Sequence, residues 1–356
     1  MCTTEKVVDS YKIWASLITN DSYLPGLLTL VFSLRKVKSK YPLVALYTGS
    51  LPEKTLHALA ARDIPIQHVP YLCPGPPPKG EAVVEGGKTK NGGGNNTSYD
   101  HDPRFRVCFT KLAVFSLTGY SRIVMLDADM LVRRNMDELF DVPLDEENRL
   151  FAATHACLCN PHHLPHYPPT WTPANCAYTT QHPSPTTAQH TPPPPSTNLS
   201  LLNGGLLTLR PSPTTFTTIT TFLRDHATEC TPAQLPFAEQ SLLSILFRGR
   251  WAALPYVYNA LAPMRRRQGG HGAALWRDGE VRAVHFILVP KPWEGVGGDG
   301  RGEGGDGDVD GGKHKGGDRD NKDGEDDDED EYETWRWWRE ADEERRRWEG
   351  ERGLEC

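Results

Sequence analysis

No stretch of the 356-residue chain approaches the roughly 18 consecutive apolar residues that a membrane-spanning helix needs. The amino end, MCTTEKVVDSYK, has no positive flank followed by a long apolar core, so no signal peptide is expected and the cytosol is the expected compartment. Positive charge is also short: 39 Lys and Arg face 46 Asp and Glu, a net charge of -7 with no basic stripe, which excludes a nucleic-acid surface. Eight cysteines are too few for a disulfide framework in a chain of this size, and in a reducing compartment they are expected to stay thiols. The sequons at Asn96 and Asn198 would then never meet the glycosylation machinery. Membrane and nucleic-acid partners fall away, while homo-oligomerisation stays open.

What the chain has is enough apolar residue, 38%, to bury one sizeable core. From 11 to 69 the text alternates YKIWASLIT, a helical pattern over 26–37, PLVALY, a helical pattern over 53–61, and IPIQHV. Strands alternating with helices predict a parallel sheet built from right-handed crossovers. Residues 74–101 and 161–197 are crowded with Pro, Gly, Asn, Thr and His and are read as flexible inserts. Order is expected over 105–117 as a helix, 122–126 and 150–154 as strands, LNGGLLTLR as a strand, and 214–226 and 237–247 as helices. Residues 294–331 are Gly, Asp, Glu and Lys with little to bury, and are predicted to be disordered. Beyond them 332–356 reads as a helix that docks through Trp335, Trp338 and Trp348.

Within VMLDADMLV, Asp127 and Asp129 close an apolar, β-branched run suited to a strand buried on both faces. An ionised carboxylate buried alone costs several kcal/mol, so the pair needs a cation or donors. In an open α/β sheet the carboxyl ends of the strands face the ligand crevice, where two carboxylates suit a hard divalent cation that also holds phosphate oxygens. A solvated turn, or a cap for a helix over 135–140, would read the same way. The loop Ser16-Leu-Ile-Thr-Asn-Asp-Ser-Tyr23, between the first strand and first helix, borders the same crevice and could receive a base and ribose, or be an ordinary N-cap.

Taken together, that loop, Leu126-Asp-Ala-Asp129, Asn203-Gly-Gly205, Phe237-Ala-Glu-Gln240 and His285-Phe with Lys291-Pro-Trp293 have the order and spacing of glycosyltransferase family 8. The chain resembles that family over about residues 16–293. Within it the resemblance is greatest to the galactinol synthase branch and its fungal relatives, through RKVKSKYPLV at 35–44, Pro236-Phe-Ala-Glu-Gln240, Tyr256-Val-Tyr-Asn259 and the tryptophan-rich tail.

The resemblance implies a single GT-A-type α/β domain over 1–293, Rossmann-like, with a mostly parallel central sheet. It implies that Asp127, Asp129 and His285 hold Mn2+, with Ala128 between the aspartates beside the donor. Leu17, Thr19, Asn20 and Tyr23 fall at the uridine-binding positions. Lys111 and Lys291 match positions that neutralise donor phosphate, and Asn203, Gly204 and Gly205 a turn that lets backbone approach the donor sugar. Glu239 and Gln240 lie at the places beside the anomeric carbon of a family that retains configuration, with Gln240 either stabilising oxocarbenium-like charge or orienting the acceptor. Where the family has a glycine before Lys-Pro-Trp, this chain has Ile287-Leu-Val-Pro290.

His155, Cys157, Cys159, Cys176, His162, His163 and His166 resemble a cysteine-rich loop of the galactinol synthase branch. Thiolates and imidazoles are zinc ligands, but the spacing fits no standard finger, so the loop is read as reduced and acceptor-facing, with His155, Tyr167 and Trp171 offering hydrogen bonds and stacking surface. The expectation is a hexosyltransferase that moves galactose from a UDP-sugar donor to a small polyol such as myo-inositol. The alternatives are a glycogenin-like self-glucosylating primer and a silent sugar-nucleotide-binding protein.

Overall fold

The computed structural model describes residues 5–74, 105–165, 167–193, 200–231, 233–266, 270–294 and 323–354. Most of the first insert, and residues 295–322 of the acidic segment, lie outside them.

The amino-terminal alternation forms as read: β1 (Lys12–Ile18), α1 (Leu24–Lys36), β2 (Leu43–Tyr47), α2 (Glu53–Ala60) and β3 (Ile66–His68). β4 (Arg122–Leu126) follows and pairs with β1 in parallel, so the chain leaves β1 toward one edge and returns on its other side. β6 (Phe151–His155), β7 (Leu202–Leu209) and β8 (Trp251–Leu254) complete a seven-stranded sheet of order β3-β2-β1-β4-β7-β6-β8, in which only β7 runs against its neighbours. A second sheet joins β5 (Met130–Val132), β10 (Ala283–His285) and β9 (Ala260–Leu261).

Alternate residues of the central strands enter two cores. Ile13, Ala15, Ile123, Met125, Leu207 and Leu209 pack under α5 (Pro213–Asp225), α6 (Ala238–Leu246) and the turn of helix Phe109–Ser116. Trp14, Val124, Leu126 and Leu206 pack under Leu27, Leu30 and Val31 of α1. A sheet covered on both faces accounts for the near-continuous apolar runs of its strands.

The segment expected as one α-helix over 105–117 is a single turn, α3 (Phe105–Cys108), followed by the 3-10 helix Phe109–Ser116. Phe109, Leu112 and Phe115 recur every three residues and are all fully buried, which is the spacing a three-fold helix superposes. A short helix also forms after the aspartates, as the 3-10 turn Asp137–Asp141, where the Asn135 side chain accepts from the Asp137 N–H at 2.9 Å. Within the second insert, 3-10 turns Pro173–Asn175 and Ala177–Gln181 and helix α4 (Pro185–Ala188) replace the expected irregular coil.

The last helix, α7, spans Asp323–Gly350, so its first turns fall inside the stretch expected to be disordered. Trp335 and Trp338 are buried as read, and Trp348 is half-buried beside Phe32. Tryptophan is only part of the docking. Glu349 takes a two-pronged ion pair from Arg62, with Nε and Nη2 both at 3.0 Å, and a third bond from Arg345 at 2.7 Å. Arg345 also donates to Asp342, which accepts from Thr29 of α1 at 2.8 Å. All four charged groups are buried, so the tail is bound to α1 and to the turn after α2 by a buried ionic network.

Candidate active site

The order of the sheet reverses between β1 and β4, and there the carboxyl ends of the two strands open a cavity of about 870 Å³. The turn Asp127-Ala-Asp129 carries the chain from β4 into β5 and is held at both ends by backbone. The Asp127 N–H donates to the Gly205 carbonyl at 2.9 Å, and the Asp129 carbonyl accepts from the Phe286 N–H at 3.0 Å. Antiparallel pairing of β10 with β5 sets His285 opposite Met130 and so beside Asp129. His285 Nε2 lies 3.2 Å from Asp129 and 3.7 Å from Asp127. One atom from each of the three side chains lies within 4.8 Å of the others.

The imidazole's orientation follows from two backbone donors. The Gly205 N–H donates to Asn203 Oδ1 and the Gly204 N–H to Gln240 Oε1, which makes both atoms oxygens. Asn203 Nδ2 therefore donates to Gln240 Oε1, and Asn259 Nδ2 donates to Asn203 Oδ1 at 2.8 Å and to Thr154 at 2.9 Å. Asn259 Oδ1 is left to accept from His285 Nδ1 at 2.9 Å. When a metal takes the Nε2 lone pair, the ring proton is therefore the one on Nδ1, and Nε2 is the nitrogen turned toward the two aspartates. Asn259 stood in a motif of the sequence without a role; its partners come from three separate strands and turns, so only the fold shows what it does.

Two lysines flank the carboxylates. Lys291 Nζ is 2.6 Å from Asp129 and 2.6 Å from the Phe286 carbonyl. Lys111 Nζ is 3.0 Å from Asp127 and 2.6 Å from Glu239. Burial alone would raise the Asp129 pKa, but Lys291 and His285 outweigh it and hold the carboxyl far below the usual carboxylate range. Burial would likewise lower Lys111, and Asp127 with Glu239 reverses this and lifts it well above its ordinary value. At Glu239 burial wins over Lys111, so its pKa is raised, and its Oε2 has no hydrogen-bond partner among the described residues. With His285 neutral, as a metal ligand must be, three carboxylates against two ammonium groups leave the cluster one charge negative.

The glycines make room for this cluster. A Cβ on Gly205 would stand 2.2 Å from the His285 ring, and one on Gly204 would stand 2.9 Å from Glu239 Oε1. Ala238, just before Glu239, has φ 43°, a left-handed conformation that costs a residue with a Cβ roughly 1–2 kcal/mol and turns the carboxylate into the site.

Leu17, Thr19, Asn20, Tyr23, Lys111, Asp127, Ala128, Asp129, Asn203, Gly204, Gly205, Glu239, Gln240 and His285 all line the one cavity. Lys291 stands behind its wall and reaches the cluster only through Asp129. Ile287-Leu-Val-Pro290, where a glycine was expected, forms apolar wall. On the far side Tyr167 and Trp171 line the cavity as expected, with Trp171 stacked on Phe237 at 4.5 Å. His155 does not: it is buried against Trp251 and Tyr178. His166 lies outside the described residues. Trp293 packs against the Asn20–Tyr23 side, donating to the Ser22 carbonyl at 2.9 Å, lying edge-on to Tyr23 and touching Trp338 of α7.

The fold, a mostly parallel sheet with its cavity at the switch point, is that of the GT-A glycosyltransferases, as a solved structure shows. The galactosyltransferase LgtC, solved with donor and acceptor sugar analogues, has the same fold: TM-score 0.51 over 79% of this chain and 89% of that one, at 14% identity. The chain belongs to glycosyl transferase family 8, whose pattern matches residues 15–297, and it is a glycosyltransferase. Galactinol synthase 1 of Ajuga reptans is 29% identical over 293 residues, which span 79% of this chain and 73% of that protein. Galactinol synthase 4 of Arabidopsis thaliana is 28% identical over 294 residues, with the same shares. Among the described residues no helix is long and apolar enough to cross a membrane.

Proposed function

We propose that the protein transfers galactose, with retention, from UDP-galactose to a small polyol such as myo-inositol, in the cytosol and with Mn2+ held by Asp127, Asp129 and His285. The observation that carries the metal assignment is the His285 tautomer: two carboxylates and an imidazole lone pair converge, and the opposite ring nitrogen is tied down by Asn259. This donor set suits manganese better than calcium. The charge balance supports it as well, because a cluster one unit negative repels a diphosphate and a divalent cation reverses its sign. When bound, the metal supplies Lewis-acid stabilisation of the leaving UDP.

The chain's own groups supply the rest. Leu17, Thr19, Asn20 and Tyr23, with Trp293 packed against Tyr23, form the wall for the nucleoside. Lys291 holds Asp129 ionised in a buried site, and Lys111 pairs with Asp127 and Glu239. Glu239 places negative charge where oxocarbenium-like charge develops on the sugar. Gln240 has its oxygen doubly engaged, by Asn203 and Gly204, so its amide N–H groups are the ones to orient a sugar or acceptor hydroxyl. Tyr167, Trp171 and Phe237 supply the acceptor side with aromatic surface. The self-glucosylating alternative is not supported by the tyrosines of the Tyr256-Val-Tyr-Asn259 segment: Tyr256 is fully buried with its hydroxyl on Gln189, and Tyr258 bonds Glu138.

The test is a screen of UDP-sugars with and without Mn2+, followed by acceptor trials. The expected result is Mn2+-dependent turnover of UDP-galactose and a free galactosyl-inositol, with the polypeptide's intact mass unchanged. Stepwise hexose additions to the polypeptide from UDP-glucose would overturn the reading.

A further inference from the structure

Cys157 and Cys159, just after β6, meet Cys176 from the second insert and His271 from a segment 95 residues beyond Cys176. One ligand atom from each of the four side chains lies within 4.8 Å of the others. His271 Nε2 is 3.2 Å from Cys159 Sγ and 3.5 Å from Cys176 Sγ. In a tetrahedral zinc site, Zn–S and Zn–N bonds of about 2.3 and 2.05 Å put sulfur and nitrogen about 3.6 Å apart. The observed separations are close to that edge.

We infer that Cys157, Cys159, Cys176 and His271 form a structural Zn2+ site, distinct from the Asp127, Asp129 and His285 cluster. Three features beyond proximity support it. His182 Nε2 lies 2.8 Å from His271 Nδ1, fixing the ring so that Nε2 faces the sulfurs, the outer support a ligating histidine needs. The Leu158 N–H donates to Cys176 Sγ at 3.4 Å, as backbone does to metal thiolates. His271 itself is held between glycines where nothing larger fits: a Cβ on Gly272 would stand 2.0 Å from the Arg265 carbonyl, and one on Gly270 2.6 Å from that of Arg266. Cys159, Cys176 and His271 are buried, and the three cysteines are free thiols. Three thiolates and an imidazole in closed array select zinc over the harder cation suited to the carboxylates. Among the described residues, neither His162 nor His163 takes part in the cluster; the fourth ligand comes from a distant segment.

The site would clamp the loop carrying Asn160, Tyr167 and Trp171 to the segment carrying Met264, both of which line the cavity. It is tested on the full chain purified without chelator and equilibrated with Mn2+. Elemental analysis should find about one zinc per chain, released in step with titration of thiols by an organomercurial. Cobalt in its place should show thiolate-to-metal charge-transfer absorption. Cys159→Ser should abolish zinc retention, and His182→Ala should weaken it roughly 10–100-fold. Substoichiometric zinc in the wild-type protein, cobalt without thiolate absorption, or an intramolecular disulfide among these cysteines in the untreated protein would overturn the assignment. Because the first two readouts use wild-type protein, a Cys159→Ser chain that fails to fold does not weaken the test.

Discussion

Asn259→Ala tests the chain of hydrogen bonds that orients His285. The side chain makes three bonds in a fully buried position: Nδ2 donates to Asn203 and Thr154, and Oδ1 accepts from His285 Nδ1. Truncation frees the imidazole to rotate and to carry its proton on either nitrogen, and loss of such an outer partner lowers metal affinity roughly 10–100-fold. That is about 1.4–2.8 kcal/mol of binding free energy. Folding stability should fall as well, by about 1–3 kcal/mol for a buried N–H left without an acceptor, less whatever a water in the vacated space restores. The assay is a Mn2+ titration of the purified chain read by the resonance signal of free aquo-manganese, with a thermal melt alongside. Asn259→Asp is the sharper companion. It restores an acceptor for His285, but it sets a second carboxylate oxygen against Asn203 Oδ1 at the 2.8 Å the amide now spans. Asn203 cannot flip in response, since Gly205 and Gln240 fix both ends of its amide. Asn259→Asp should therefore fail to recover wild-type affinity. A wild-type Mn2+ affinity in Asn259→Ala, or full recovery in Asn259→Asp, would refute the tautomer argument.

Asp129→Asn should abolish transfer and, because it strands the buried Lys291 ammonium, destabilise the fold by about 3–5 kcal/mol. The double variant Asp129→Asn with Lys291→Met should regain stability in a urea melt without regaining activity. Gly205→Ala should drive a methyl into the His285 ring and reduce transfer at least 100-fold, about 2.8 kcal/mol of barrier, read as kcat/KM over a Mn2+ series. Glu349→Ala should cost about 3–5 kcal/mol by leaving Arg62 and Arg345 buried without their shared anion, whereas Arg346→Ala, at a half-exposed side chain, should cost under about 1 kcal/mol. Burial raises the Glu349 pKa, but Arg62 and Arg345 outweigh it, so the folded value lies below the unfolded one. Its contribution is therefore present above the unfolded value of about 4.3 and is lost as pH falls through the folded pKa, so the wild-type advantage over Glu349→Gln should shrink in acid melts. Deleting residues 296–321 should leave melting temperature and activity near wild type, since a Gly and Asp run buries too little to offset its ordering entropy.

The sequence by itself determined the sheet from β1 to β4 and the place of the crevice, but not the edge strand β8 or the reversed direction of β7. Alternating apolar runs and turn signals depend on neighbours in the chain, so β1 through β4 and the Asp127-Ala-Asp129 turn were legible from local pattern. Motifs in a fixed order carried His285, Asn203, Glu239 and Gln240 to the same site without any distance being known. The tertiary structure alone decided which groups pair across long separations. The Asn203, Asn259 and His285 relay, His271 rather than His162 or His163 beside the three cysteines, and Arg62 against Glu349 join residues that no periodicity links. Nor did the text show that Lys111 and Lys291 are held by carboxylates, because a lysine reads as solvated until the fold buries it. Hydrophobic pattern is a short-range signal with a repeat, whereas a buried polar network is a set of single, directional contacts that exists only once the strands have brought its members together.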